Sequence, residues 1–239
     1  MSTYLYSINP YTQEQIASYK ELSAEEVKTK LDLTYNAYLD WRNTNFDLRN
    51  SLMLNLAKLL EEQAKEQAEL IVKEMGKPLA QAIAEVKKCA LVCRYYAENA
   101  ETILQTKYIQ TEAAKSYVRY EPMGIVLGIM PWNFPFWQVF RYAAPALMAG
   151  NTVALKHASN VMGSAHNIEK LFIEAGFPEN CFTQVCISSK QINTLVEYPK
   201  IHGIVLTGSE QAGRSLATKA GSQLKKTVLE LGGSNAMIV

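Results

Sequence analysis

From Gly124 onward the chain repeats one pattern: a short apolar run, a loop, then a stretch with helical spacing. Strands are expected near 124–130, 151–156, 182–187, 201–206, 225–229 and 235–239, and helices near 135–149, 161–175, 189–197 and 209–220. Strands that alternate with helices must run parallel, because each helix is the crossover that returns the chain to the same end of the sheet. The expected fold class is therefore α/β, a mostly parallel sheet with helices on both faces. Such a sheet binds its ligand beyond the carboxyl ends of the strands.

Ahead of this region, residues 21–105 read as three helices. Ser23-Ala24-Glu25-Glu26 has the form of a capping box and opens the first, which runs to about Trp41. The second spans roughly Asp47–Met75, with Leu48, Leu52, Leu56 and Leu59 at helical spacing and Gly76 as its stop. Pro78 starts the third. All three read as packing scaffold without chemistry. Between them and the sheet, Lys107–Thr111 and Ser116–Tyr120 alternate like the arms of a hairpin.

Three expected strand ends carry residues unusual for turns. The first is Met130-Pro131-Trp132-Asn133-Phe134-Pro135, where a rigid loop could aim the Asn133 amide at a developing oxyanion, or be a proline-rich turn with a side-chain cap. The second, Gly208-Ser209-Glu210-Gln211-Ala212-Gly213, joins a strand to a helix. Its hydroxyl and free backbone N–H groups suit a phosphate, though Ser209 could equally be an ordinary N-cap and Glu210 would repel an anion. The third is Leu229-Glu230-Leu231-Gly232-Gly233. A carboxylate partly buried there would have a raised pKa and could act as a general base; the plainer alternative is a solvated glutamate at a strand end.

Composition narrows the alternatives. With 24 Lys and Arg against 23 Asp and Glu, no bulk field attracts nucleic acid or an anionic membrane. The longest apolar stretch, near Met123–Trp132, is about half the ~20 residues a membrane helix needs. The N-terminus lacks the order of a secretion signal, so a soluble cytoplasmic protein is expected. Cys89, Cys93, Cys181 and Cys186 read as buried free thiols. His157, His166 and His202 lack metal-ligand spacing and read as surface or cap residues, so no metal is expected.

Taken in order, Pro131–Pro135, Leu155-Lys156, Ala175-Gly176-Phe177-Pro178, Thr207-Gly208-Ser209 with Gly213, and Glu230-Leu231-Gly232-Gly233 resemble the aldehyde dehydrogenase superfamily. Within it, Trp132–Gln138 and Leu155–Gly163 look most like bacterial succinate-semialdehyde dehydrogenases. The resemblance implies a Rossmann-like dinucleotide-binding domain (1–106 and 121–236), an oligomerisation hairpin (107–120) and, at 237–239, the start of a catalytic domain. It implies NAD(P)-dependent oxidation of an aldehyde, such as succinate semialdehyde, to the acid. Asn133 would donate to the oxyanion and Glu230 would be the general base. Cofactor contacts carry over to Lys156 at a ribose, Ser209 at the pyrophosphate and Trp132 beside it. Met130, Gly208, Gly213, Leu231 and Gly232 complete that set.

Two departures matter. Ser159 stands where NAD-preferring relatives often carry a Glu, so NADP is expected to be tolerated or preferred over NAD, with Lys156 and His157 assisting. The family's nucleophilic Cys lies a few dozen residues beyond the Glu230 motif, and none of the four cysteines holds that position. The expectation is that this chain supplies the cofactor-binding half alone and is inactive by itself. It would associate as a homo-oligomer or with a complementing C-terminal half. The alternative is a non-catalytic dinucleotide-binding module or one part of a split enzyme.

Overall fold

The computed structural model describes residues 3–233, so the strand expected at 235–239 and the domain start at 237–239 lie outside the described residues. Among the described residues five strands form the sheet: β5 (Ile125–Met130), β6 (Thr152–His157), β7 (Phe182–Gln184), β8 (Ile201–Gly208) and β9 (Lys226–Leu231). Every neighbouring pair is parallel, and the order is β7-β6-β5-β8-β9. The chain thus starts at the centre, builds outward to one edge, and then returns to build the other. The expected α/β class holds, and the point where the order reverses lies between β5 and β8.

The period of two along each strand divides the core into two layers. Val126, Met130, Val153 and Leu155 face helices α2 (Phe46–Glu62), α4 (Leu79–Ile103), α5 (Trp137–Met148) and α6 (Met162–Glu174). Ile125, Leu127, Ile129, Ala154 and Leu206 face the other way, towards α1 (Ala24–Trp41), α7 (Ile192–Glu197) and α8 (Glu210–Ser222). Gly128 leaves the space on the first layer that the Tyr142 ring fills. A Cβ there would stand 2.0 Å from Tyr142 Cζ and 2.2 Å from its hydroxyl oxygen. Gly128→Ala is expected to cost about 3 kcal/mol, the upper end for overpacking a close-packed site. A lowered urea midpoint at unchanged m checks it.

Two local expectations need adjustment, and one hairpin was not foreseen. The helix expected over 47–75 is two, α2 and α3 (Ala64–Met75), separated at Gln63 (φ −96°, ψ 10°). No Gly or Pro marks that break; α3 instead bends to bury Ala64, Ala68 and Ile71. Residues before 21 form an antiparallel hairpin, β1 (Tyr4–Ile8) with β2 (Gln15–Lys20), whose turn is held by Asn9 Oδ1 accepting from the Tyr11 and Thr12 amides at 2.9 and 3.2 Å. The hairpin at 107–120 is present but its strands are short, β3 (Lys107–Tyr108) and β4 (Tyr117–Val118), with the Ile109 amide donating to the Ser116 carbonyl at 2.9 Å beyond them. The Ser23 capping box and the left-handed Gly76 stop (φ 75°) stand where expected.

Candidate functional site

The sheet's carboxyl end gathers the residues of all three strand-end motifs, sorted by face. Strand register sets Lys156 of β6 beside Ile129 of β5, Ile129 beside Leu206 of β8, and Leu206 beside Leu229 of β9. These four share the α1/α7/α8 face. One residue further along, His157, Met130, Thr207 and Glu230 occupy the opposite face, towards α5. Neighbouring strands lie about 4.8 Å apart, so the whole edge is only about 15–20 Å across.

On the first face a groove of about 290 Å³ lies between α7 and α8, floored by Ile129 and Leu206 and walled by Ile192, Ala212 and Leu216. Lys156 stands at the next strand and is buried, and burial lowers its ammonium pKa against the opposing pull of Cys186 and Glu21. Ser159, half-buried, begins the turn that follows β6. Ser209 caps α8, its Oγ accepting from the Ala212 amide at 3.2 Å. Its hydroxyl proton is still free to be donated, so the N-cap and anion-binding readings are compatible. Glu210 is drawn into an i,i+4 ion pair with Arg214 on the exposed side of α8, which offsets its repulsion of an anion.

Gly208 is open to approach: a Cβ there would meet only Leu206, at 3.7 Å. Gly213 serves packing instead, since a Cβ there would stand 2.6 Å from Leu231 Cδ2. Leu231 is correspondingly turned onto α8. Gly232 is exposed, with nothing within 4 Å of a Cβ.

On the second face, Trp132 and Asn133 project from the loop after β5, both exposed. Glu230 is not partly buried as one sequence reading required. Its side chain is 49% exposed and pairs with Arg141 Nη2 at 2.6 Å. Arg141 lies on α5, the helix that begins where the Asn133 loop ends, so Asn133 and Glu230 border the same edge. Gln138, one turn earlier, accepts from Thr207 Oγ1 at 3.3 Å. Arg141 escaped the sequence reading, although it is the one charged residue in α5.

His157 corrects two expectations together. It is neither a surface nor a cap residue, and it cannot assist Lys156, because the strand alternation turns it to the other face. It is buried beneath the Asn133 loop, its Nε2 donating to the Pro135 carbonyl at 2.8 Å while Nδ1 accepts from the Ala158 amide at 2.9 Å. Burial pushes its pKa down to about 4, so it is neutral.

The four cysteines are free and buried. Burial pushes the Cys186 thiol up to about 11 and the Cys181 thiol up to about 12, and raises Cys89 and Cys93 as well. No helix among the described residues is long and apolar enough to cross a membrane.

Comparison with known proteins agrees with the fold. The chain is 48% identical over 233 residues to a probable succinate-semialdehyde dehydrogenase [NADP(+)] of Synechocystis, covering 98% of this chain and 51% of that protein. It is 40% identical to succinate semialdehyde dehydrogenase [NAD(P)+] of Escherichia coli, covering 100% and 52%. The solved succinic semialdehyde dehydrogenase of Streptococcus pyogenes, in complex with NADP+, superposes with a TM-score of 0.93 at 34% identity, over 97% of this chain and 51% of that one. The chain therefore spans about half the length of the relatives it matches. Residues 2–239 match the aldehyde dehydrogenase family, and the chain belongs to it.

Proposed function

We propose that this chain is the dinucleotide-binding part of an NAD(P)-dependent aldehyde dehydrogenase that acts on succinate semialdehyde or a close analogue, with NADP preferred. The observation that carries this reading is the row Lys156–Ile129–Leu206 on one face, continuous with the groove between α7 and α8 and the capped N-terminus of α8. The apolar groove suits the flat base, Lys156 the ribose hydroxyls, and Ser209 with the α8 amides the pyrophosphate. Ser159 can donate to a 2′-phosphate where a carboxylate would repel it. When bound, the nicotinamide supplies the hydride acceptor.

The residues of the opposite face act on the substrate. Asn133 donates to the oxygen of the aldehyde as its carbon becomes tetrahedral, and Glu230 takes a proton from the attacking water. The Arg141 pair must open for Glu230 to do so. None of the four cysteines is the nucleophile, since each is buried with its thiol held protonated. Residues 1–106 and 121–236 form the dinucleotide-binding unit. The hairpin 107–120, with Tyr108, Ile109, Tyr117 and Tyr120 exposed, serves oligomer contacts in the cytoplasm.

Calorimetric titration of NADP+ and NAD+ tests the proposal. NADP+ is expected to bind more tightly, and Ser159→Glu to weaken it about tenfold or more through charge repulsion while sparing NAD+. Absence of binding by either dinucleotide overturns it.

A further inference from the structure

The loop that carries Trp132 and Asn133 does not hold itself. Among the described residues, no side chain of its own caps α5, although its prolines and Asn133 suggested a self-capped turn. The acceptor comes from α4. Glu85 Oε1 accepts from the Phe136 amide at 2.9 Å and the Trp137 amide at 3.0 Å, the free donors at the start of α5. Its second oxygen pairs with Lys77, from the bend between α3 and α4. Both side chains are buried, Glu85 to 1% exposure. Lys77 in turn lies 3.7 Å from the centroid of the Phe134 ring, directly after Asn133. His157 completes the hold at the Pro135 carbonyl.

We infer that Glu85 and Lys77 are positioning residues that fix the Trp132–Asn133 loop at the substrate end of the site. The inference rests on the proposed function for the purpose of the loop, but its geometry does not. A buried ion pair is seldom a net source of stability compared with apolar residues of similar volume. Here each partner also spends its remaining capacity where that loop enters α5: carboxylate on the Phe136 and Trp137 amides, ammonium on the Phe134 ring face. Neither residue reaches the groove that would hold the base. They therefore set the orientation of Trp132 and Asn133 rather than dinucleotide affinity.

The test uses the full chain labelled with 5-fluorotryptophan and followed by fluorine NMR. Its three tryptophans sample α5 at both ends: Trp132 and Trp137 near the start, and Trp41, whose Nε1 donates to the Leu147 carbonyl at 3.0 Å, near the finish. In Glu85→Ala and Lys77→Met the Trp132 and Trp137 lines are expected to shift or broaden while the Trp41 line stays. Glu85→Gln, whose amide oxygen can still accept from both backbone donors, is expected to restore them towards wild-type positions. NADP+ should then displace the Trp132 line less in Lys77→Met than in wild type, with a dissociation constant changed by no more than about twofold, as for a distant independent site. If the Glu85→Ala variant does not fold, Lys77→Met decides. Lines for Trp41 and Trp132 that move together, or a Trp132 line unmoved in every variant, overturn the inference. A wild-type Trp132 line silent to saturating NADP+ overturns the proposed function instead, and the nucleotide-free spectra still report the hold on the loop.

Discussion

Glu74→Ala is expected to destabilise the protein by about 3–5 kcal/mol, because it strands buried donors that have no other acceptor. Glu74 is buried at the end of α3, and its two oxygens accept from Ser7 Oγ at 2.6 Å, the Gly163 amide at 2.8 Å, the Ser164 amide at 2.9 Å and Ser164 Oγ at 2.8 Å. The hydroxyls can rotate to other partners, but the two amides at the start of α6 cannot. Glu74→Gln keeps one acceptor oxygen and turns an NH2 group towards donors, so an intermediate loss is expected. Urea midpoints at unchanged m measure both. Loss of less than about 1 kcal/mol in the alanine variant would mean that the α6 amides find another partner.

Glu74 and Glu85 show what the sequence concealed. The helical spacing of residues 21–105 was legible because Leu48, Leu52, Leu56 and Leu59 repeat with the helix period, and it led to a reading of mere scaffold. A buried glutamate looks, in sequence, like any other glutamate in an amphipathic helix rich in Glu and Lys. Only the fold reveals that the corner between α3 and α4 lies against the starts of α5 and α6, the two helices that follow β5 and β6. Helix N-termini expose free amides, and a carboxylate is the natural acceptor for them. The capping of α1 was legible for the opposite reason: Ser23 and Glu26 are local, so no tertiary knowledge is needed.

The same contrast separates the strand ends. Asn133, Ser209 and Glu230 were singled out because apolar runs stop abruptly at loops containing Gly or Pro. The α/β alternation then placed all three at the carboxyl edge, as found. Their partners were not legible, because they depend on which strands are neighbours. Arg141 reaches Glu230 only because β9 follows β8 at the edge of the order β7-β6-β5-β8-β9. Exposure of Glu230 follows from that edge position, where no further strand is paired within the described residues. The alternation rule could, however, have parted His157 from Lys156: adjacent residues in one strand cannot serve the same face.

His157 supplies the remaining large effect, an acid sensitivity that begins well above the carboxylate range. Its pKa is about 4 in the fold, against about 6.5 in an unfolded chain. The unfolded chain therefore binds a proton that the folded protein refuses as pH falls below about 6.5, and stability declines until the folded state is protonated too, near pH 4. That interval corresponds to about 3 kcal/mol, the difference between the two pKa values expressed as free energy. Glu21 and Glu26 act in a separate window. Hydrogen bonds from Ser188 to Glu21, and from the Ser23 amide to Glu26, hold both carboxyls at about 2, so their contribution is present above about pH 4.5 and is lost between there and pH 2. Two stages of acid loss are thus expected, and His157→Gln separates them. Glutamine can still donate to the Pro135 carbonyl but does not titrate, so the upper stage should vanish while the lower one remains. Urea unfolding of both proteins at about pH 7, 5 and 3 reads the two stages directly. Equal losses between pH 7 and 5 in wild type and His157→Gln would place the proton acceptor elsewhere, and would release the Asn133 loop from the neutral imidazole on which it rests.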